Sequence, residues 1–101
     1  MCEATGTAIG IVQVENDEIR VTRWDFPHKG ANTGWHKHAY DYVVVPVVDG
    51  TLSITGPDGT VSEVPLKAGV SYAREAGVEH DVANGLDTPM AFVEIELLKS
   101  G

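Results

Sequence analysis

The sequence predicts an all-β fold, arranged as a single small barrel or sandwich. Stretches in which apolar and polar residues alternate, the pattern of half-buried strands, recur along the chain of 101 residues. Gly, Pro, Asp and Asn separate these stretches, and apolar residues nowhere keep a helical spacing over about 11 residues. The length suits one domain. Roughly nine short strands joined by tight turns are typical of a sandwich or a barrel.

The predicted strands end at residues that favour turns. The second strand alternates regularly, so that Trp24 and Phe26 share one face and Arg23 lies on the other. The fourth strand is almost continuously apolar, but Pro46 interrupts it and predicts a bulge or a strand edge. Asp49 and Gly50 follow as a hairpin turn signal. In chain order, the predicted strands span residues 7–14, 18–26, 34–38, 42–48, 51–55, 60–64, 70–74, 79–83 and 90–98.

The charge balance disfavours nucleic acid as a partner. Fifteen acidic and seven basic residues give a formal net charge of −8, which repels phosphate backbones. No apolar run approaches the roughly 20 residues that cross a bilayer, and the first residues lack the basic and apolar segments of a secretion signal. We therefore expect a cytoplasmic protein that binds neither nucleic acid nor membrane. Cys2 is the single cysteine, which excludes an internal disulfide.

His36 and His38 form the first candidate for a metal site. Residues i and i+2 of a strand point to the same face, so both imidazoles can converge on one ion while Trp35 and Lys37 face away. A pair of this kind also arises by chance, and the alternative is two exposed residues of a loop. His28 lies in the loop after the second predicted strand, where we expect an exposed surface residue.

The spacing around these histidines resembles the two motifs of the cupin superfamily. Residues 30–38 contain the pattern G-x5-H-x-H and are followed by Gly50, as in the first motif. Residues 69–84 contain the pattern G-x5-E-x-G-x2-H-x3-N, which resembles the second motif with His80 as its histidine. The resemblance extends over residues 18–98 and implies a small jelly-roll β-barrel of the RmlC-like kind.

Residues 33–46 resemble, more narrowly, the small single-domain cupins labelled BauB-like, β-alanine-degradation proteins. This resemblance implies an association with amine or β-amino-acid catabolism. It does not specify a reaction, because one fold hosts many chemistries. The cupin resemblance also implies that His36, His38 and His80 hold one divalent transition metal ion, with iron, nickel, zinc, manganese and copper as candidates.

The fourth ligand of the cupin pattern is absent from its expected place. The pattern has a metal-binding Glu four or five residues after the second histidine, where this chain has Tyr42 and Val43. Counting back from Gly50 selects Val43, which cannot bind a metal ion. Two alternatives follow: three neutral imidazoles with open positions, or Asp41 as a displaced fourth ligand. We favour three histidines, because a loop residue before a strand has an uncertain direction.

Four further residues are candidates for a substrate pocket: Tyr40, Tyr42, Tyr72 and Arg74. Alternation places Tyr72 and Arg74 on one strand face, which lines the cavity in the resembling barrels. An inward Arg74 would bind a substrate carboxylate in a bidentate manner. We slightly favour the alternative, in which Arg74 is a surface residue paired with Glu75 or Glu79.

Glu94 and Glu96 alternate with apolar residues in the last predicted strand. We expect them on an outer, solvated face rather than as a catalytic acid pair. No general base stands out among the motif residues, so the sequence assigns no catalytic residue.

Three functions fit these features. We favour a metal-dependent enzyme, oxygenase-like or lyase-like, that acts on a small polar or carboxylated metabolite. The alternatives are a module that captures a small molecule without chemistry, and a barrel without metal. Exposed sheet edges need covering, so we expect a homodimer in which residues 1–17, as an N-terminal strand or arm, cover or exchange with a second copy of the barrel at 18–98.

Overall fold

The structure is a computed structural model that describes residues 7–98, and it confirms the all-β prediction. Residues 7–98 contain nine strands and no helix, and therefore no helix that is long and apolar enough to cross a membrane. The strands are β1 (Ile9–Glu15), β2 (Ile19–Phe26), β3 (His36–Lys37), β4 (Tyr42–Pro46), β5 (Gly50–Thr55), β6 (Val61–Leu66), β7 (Tyr72–Arg74), β8 (Glu79–Asn84) and β9 (Met90–Leu97).

The strands form two antiparallel sheets with crossed connections. A five-stranded sheet has the order β1-β2-β9-β4-β7, and a four-stranded sheet has the order β3-β8-β5-β6. The last strand in the chain, β9, therefore lies between β2 and β4, which are distant from it in sequence. This topology confirms the jelly-roll fold that the cupin resemblance implies.

Several observed strands are shorter than predicted, and the differences at β4 and β3 have structural reasons. Pro46 ends β4, whose predicted span reached residue 48, because proline has no N–H to donate to the next strand. Val47 and Val48 follow as residues that are each 39 % exposed. In β3 only His36 and Lys37 pair with β8, so the predicted strand at 34–38 is mostly loop.

The five-stranded sheet has an inner wall that faces the other sheet. Alternation along β2 puts Trp24 and Phe26 on this wall. One row of register partners crosses all five strands and contains Glu15, Arg20, Glu96, Tyr42 and Arg74. The next row contains Val12, Thr22, Glu94, Val44 and Tyr72.

The opposite side of this sheet, which we call the outer face, is largely apolar. Its charged residues include Arg23 and Asp25, which pair with each other at 3.1 Å. Its half-buried apolar residues in the middle strands are Val21, Val43, Val45, Val93 and Ile95. Its exposed apolar residues in the edge strand β1 are Ile9, Ile11 and Val14.

The apolar core lies further along the strands, beyond the two rows of register partners described above. Phe26 and Phe92 pack with their ring centroids 5.3 Å apart. A Cβ atom at Gly50 would lie 2.6 Å from the sulfur of Met90, so a side chain there would force Met90 to shift. The side chain of Asn84 is fully buried and donates hydrogen bonds to two backbone carbonyls, which fixes the turn after β8.

The edge strand β1 pairs with β2 of the same chain. All seven of its residues are exposed, including four apolar residues with exposed fractions of 46–56 %. Residues 1–6 of the predicted N-terminal arm lie outside the described residues, and the division of the chain at residue 17 stays a prediction.

Candidate metal centre

Three histidines converge at the inside of the barrel. His36 of β3 and His80 of β8 are direct partners across the strand pair, and His38 follows β3 at once. The Nε2 atom of His38 lies 3.0 Å from that of His36 and 3.2 Å from that of His80. The ligand atoms of all three lie within 4.8 Å of one another. The structure therefore brings together the three histidines singled out by the two motifs, whereas His28 is exposed and outside the cluster.

Backbone and ring contacts orient these imidazoles. The Nδ1 atom of His36 lies 2.9 Å from the carbonyl oxygen of Gly34. The ring of His38 stacks on the ring of Tyr42, with centroids 3.8 Å apart and an angle of 17° between the planes. Gly77 adopts a φ of 98°, and its N–H donates to the carbonyl of His38 at 2.8 Å. This turn holds the backbone of His38 in place.

His38 and His80 are uncharged at neutral pH, which is the form that binds metal ions. Burial, followed by the neighbouring His36 and His80, lowers the pKa of His38 to about 3. Burial, followed by His36, lowers the pKa of His80 to about 4. Three Nε2 atoms at these distances cannot all point protons at one another, and a cation between them would satisfy every lone pair. The three residues therefore fit a divalent metal ion that prefers imidazole ligands.

Asp41 does not join this cluster. Its carboxylate accepts a hydrogen bond of 2.8 Å from the N–H of Ala76, so it holds the loop before β8. Its own carbonyl accepts from the N–H of Leu97. Of the two alternatives for the ligand set, the geometry favours three histidines over a displaced carboxylate at Asp41.

The two positions considered for the missing glutamate point in opposite directions. Tyr42 is buried on the inner wall and stacks on His38. Val43 lies on the outer face, beside Ala73 of β7 and Ile95 of β9. Tyr42, rather than the Val43 selected by counting from Gly50, is thus the residue of this pair that contacts the histidine cluster.

A cavity of about 540 Å³ opens beside the three histidines. The inner wall supplies most of its charged and aromatic lining, and the four-stranded sheet supplies apolar residues such as Leu52 and Val82. The lining also contains all four predicted pocket residues: Tyr40, Tyr42, Tyr72 and Arg74. Their contact with a substrate stays a prediction.

Arg74 differs from the favoured sequence interpretation. Its guanidinium lies over the ring of Tyr72, 4.6 Å from the centroid, and donates to the carbonyl of Ala73. Among residues 7–98 it forms no ion pair with Glu75 or Glu79. The expected ion pair was therefore wrong, whereas the expected position at the surface was correct, since Arg74 is exposed at the rim of the cavity.

Glu94 and Glu96 also contradict the sequence interpretation, which placed them on a solvated face. Both line the cavity, with side chains that are 12 % and 14 % exposed. The alternation along β9 was correct, but the side facing the interior was reversed, because the outer face of this sheet is the apolar one. The signal that could have found them is the pairing of β9 with β2, in which Trp24 and Phe26 mark the inner wall.

The carboxylate of Glu96 forms an ion pair on the inner wall. Arg20 donates two hydrogen bonds to its carboxylate, at 2.7 and 3.1 Å. Arg20 also lies 3.4 Å from Glu15, and these hydrogen bonds and charges raise the pKa of its guanidinium. The charge of Arg20 is therefore satisfied by protein carboxylates, in contrast to that of Arg74.

Glu94 lies between Trp24 and His38. The Nε1 atom of Trp24 donates to Oε1 at 3.3 Å, and Oε2 lies 3.7 Å from Nδ1 of His38. Burial, followed by the charge of Glu96, raises the pKa of Glu94 to about 7. Burial and the charge of Glu94 also raise the pKa of Tyr42. Because His38 is uncharged, its contact with Glu94 is not an ion pair at neutral pH.

A sequence model described as the cupin domain matches residues 22–96, which is most of the chain. The chain is a cupin. The family predicted from the two histidine motifs is therefore confirmed.

This cupin is 50 % identical to the beta-alanine degradation protein BauB of Pseudomonas aeruginosa over 90 residues, which cover 89 % of this chain and 93 % of the relative. It is 47 % identical to a cupin domain protein of Bordetella pertussis of known crystal structure, with a TM-score of 0.85 and coverage of 96 % and 97 %. The prediction of a small single-domain cupin that resembles BauB is thereby confirmed.

More distant solved structures share the fold alone. The polyketide cyclase RemF of Streptomyces resistomycificus is 17 % identical, with a TM-score of 0.71 over 98 % of this chain and 71 % of that protein. A likeness at this identity supports the barrel and carries no information about the reaction.

Proposed function

We propose that this cupin is a metal-dependent enzyme, oxygenase-like or lyase-like, that acts on a small polar or carboxylated metabolite. The observation that carries the proposal is the convergence of three imidazoles, in which Nε2 of His38 lies 3.0 and 3.2 Å from those of the other two, at the side of a cavity whose lining includes charged residues. A volume of about 540 Å³ suits a small metabolite.

His36, His38 and His80 would hold the ion and leave its remaining positions open toward the cavity. A bound divalent metal ion would polarise an oxygen atom of the substrate, or activate water or dioxygen. Imidazole ligands suit iron, nickel, zinc and copper, and manganese stays a further candidate. The protein would orient the substrate and exclude bulk water.

Arg74 supports the carboxylated class of substrates. The described residues provide its guanidinium with a ring and a backbone carbonyl but no carboxylate, so a charged acceptor would complete its hydrogen bonds. The relative BauB is named for β-alanine degradation, and β-alanine is itself a short carboxylate. A short amino or keto acid is thus the substrate class to test first.

A non-catalytic binding module is the second candidate. It is favoured by the tyrosine at position 42, which leaves the cluster without the glutamate of the family pattern and without a carboxylate ligand in the described residues. In that case the ion would capture a small ligand without converting it.

One experiment separates these candidates. Protein purified without added metal is analysed for its metal content, stripped, and reloaded with each candidate ion. Each form is then incubated with short amino, β-amino and keto acids, with and without oxygen, and products are measured by mass spectrometry. We expect turnover only in one or more metal-loaded forms. We also expect His36→Ala to abolish this turnover and His28→Ala to retain it, because His28 is an exposed histidine outside the cluster.

Turnover that persisted after verified metal removal would refute metal-dependent catalysis. Tight binding of unaltered ligand to the metal-loaded protein, with no product after hours, would instead establish the binding module.

We also propose that two copies pair through the outer face, as a homodimer. Five strands at about 4.8 Å spacing make a face about 24 Å wide, which suits the packing of one sheet on another. The pair of Arg23 and Asp25 is neutral as a whole, so two chains of net charge −8 can approach here. Large exposed apolar patches are rare on monomers.

The cytoplasmic location stays a prediction.

A further inference from the structure

Two of the three clustered histidines present their second ring nitrogen to an oxygen atom. The Nδ1 atom of His36 lies 2.9 Å from the carbonyl oxygen of Gly34, a hydrogen-bond distance. The Nδ1 atom of His38 lies 3.7 Å from Oε2 of Glu94. A backbone oxygen and a buried carboxylate thus occupy equivalent places behind two neighbouring rings.

The location of the single proton on each ring decides whether Nε2 can bind a cation. A neutral imidazole carries its proton on one nitrogen, and only the other nitrogen has a free lone pair. In His38 the Nε2 atom faces the cluster, so binding of a cation there requires the proton to reside on Nδ1, where an acceptor would stabilise it. The nearest acceptor that the structure places there is Glu94.

We propose that Glu94 is a positioning residue, which holds the proton of His38 on Nδ1 and orients the ring so that Nε2 is free for a metal ion. This inference rests on the metal binding proposed above. Carboxylates that accept a hydrogen bond from a metal-bound histidine commonly fix its tautomer and raise its basicity. The separation of 3.7 Å would shorten by about 0.9 Å to reach the usual length of such a bond.

The surroundings hold Glu94 in the position that this role requires. Trp24 donates to its other oxygen at 3.3 Å, which directs Oε2 toward His38. Tyr42 stacks on the ring of His38, which limits rotation of that ring. Glu94 is only 12 % exposed, so little water competes for its oxygen atoms.

Glu96 provides a matched control on the same strand. It lies two residues further along the same wall, with a similarly small exposed fraction of 14 %. Its carboxylate accepts two hydrogen bonds from Arg20, and among the described residues it forms no hydrogen bond or ion pair with the three histidines. A substitution there changes one wall carboxylate without touching His38.

The test compares the wild-type protein with Glu94→Leu, Glu94→Gln and Glu96→Gln. In the metal-free proteins, nitrogen-15 NMR of the imidazole rings reports the tautomer of His38. We expect the Nδ1–H form in the wild type and in Glu96→Gln, and a mixture of tautomers in Glu94→Leu. Competition titration with Zn²⁺ should give affinity about 10–100-fold weaker in Glu94→Leu. Glu94→Gln retains an acceptor oxygen and should lie between the two, while Glu96→Gln should stay within about threefold of the wild type.

Wild-type affinity together with an unchanged His38 tautomer in Glu94→Leu would overturn the inference. Glu94→Gln has nearly the same shape as the native residue, so it preserves the test if Glu94→Leu does not fold. A wild-type protein that bound none of the candidate ions, Zn²⁺, Fe²⁺, Ni²⁺, Cu²⁺ and Mn²⁺, would refute the proposed metal centre, whereas the tautomer measurement would still decide the role of Glu94.

Discussion

The two faces of the five-stranded sheet differ in a way that reverses the usual pattern of a small β protein. The inner wall carries Arg20, Glu94 and Glu96, whereas the outer face carries mainly valine and isoleucine. Polar residues normally face water, and apolar residues face the interior. The reversal shows that the inner wall supplies charged residues to the lining of the cavity, and that the outer face is suited to pack against another surface.

The largest expected effect concerns the outer face. Ile11→Glu places a charge on an exposed residue of that face, and in a dimer the charge would be buried without a partner. We expect dimerisation to weaken roughly hundredfold, about 2.7 kcal/mol, as measured by light scattering at several concentrations. Val61→Glu is the matched control, because Val61 is 59 % exposed, against 56 % for Ile11, and lies on the edge strand β6. A monomeric wild type, or equal effects of both variants, would contradict the proposed interface.

The second prediction concerns the buried charge of the inner wall. Burial raises the pKa of Glu94 from an ordinary 4.5 to about 7, so its protonated form is favoured in the folded state. The stability that this provides is complete below about pH 4.5 and is lost as the pH rises through 7.

The side chain in Glu94→Gln cannot lose a proton. In metal-free protein, the free energy of unfolding of this variant minus that of the wild type should therefore increase by roughly 2 kcal/mol from pH 5 to pH 8. Urea denaturation at both pH values measures the difference. A difference independent of pH would show that Glu94 titrates normally.

The third prediction compares one ion pair from each face. Arg20 and Glu96 are 20 % and 14 % exposed, whereas Arg23 and Asp25 are 38 % and 37 % exposed. Glu96→Gln should lower the free energy of unfolding by about 1.5 kcal/mol, because it leaves a shielded guanidinium with a weaker partner. Asp25→Asn should cost below about 0.5 kcal/mol, as expected for exposed pairs. Urea denaturation of both variants checks the ranking, and equal losses would remove the distinction between the faces.

The smallest expected effect concerns ligand affinity at the rim of the inner wall. Arg74→Met removes the guanidinium that has no carboxylate partner in the described residues, and should weaken binding of a short carboxylate to the metal-loaded protein about tenfold. Arg23→Met is the control, since Arg23 lies on the outer face. Calorimetric titration of a short keto acid measures both. Equal affinity in Arg74→Met and wild type would mean that the carboxylate binds elsewhere.

The sequence predicted the strands and the pair of His36 and His38 from local spacing, whereas His80 was predicted from the resemblance of its motif to the cupin pattern. His36 and His38 share a strand direction, and alternation in β2 and β9 is visible in the residues themselves. Alternation does not say which face is inside, because that depends on which sheet packs opposite. Glu94 was therefore placed on the wrong side although its periodicity was correct.

The contacts of the cavity wall could not be predicted for a similar reason. The row that contains Arg20, Glu96 and Arg74 is assembled from β2, β9 and β7, which are far apart along the chain. Arg74 has glutamates close to it in sequence, yet its strand carries it toward Tyr72. Tyr72 is as close to Arg74 in sequence, two residues away on the same strand, so sequence distance alone did not separate the right partner from the wrong ones.

The distance along the chain between the histidines has a consequence for folding. His38 and His80 are 42 residues apart in sequence, and β3, which ends immediately before His38, is only two residues long. An ion bound by both would act as a removable cross-link, closing a long loop at the place where the backbone pairing is shortest. Such a link would restrict the conformations of the unfolded chain, which is how a disulfide stabilises a protein. The single cysteine of this chain cannot form an internal disulfide. The same atom that serves chemistry in the cavity would then fasten the two motifs of the barrel together.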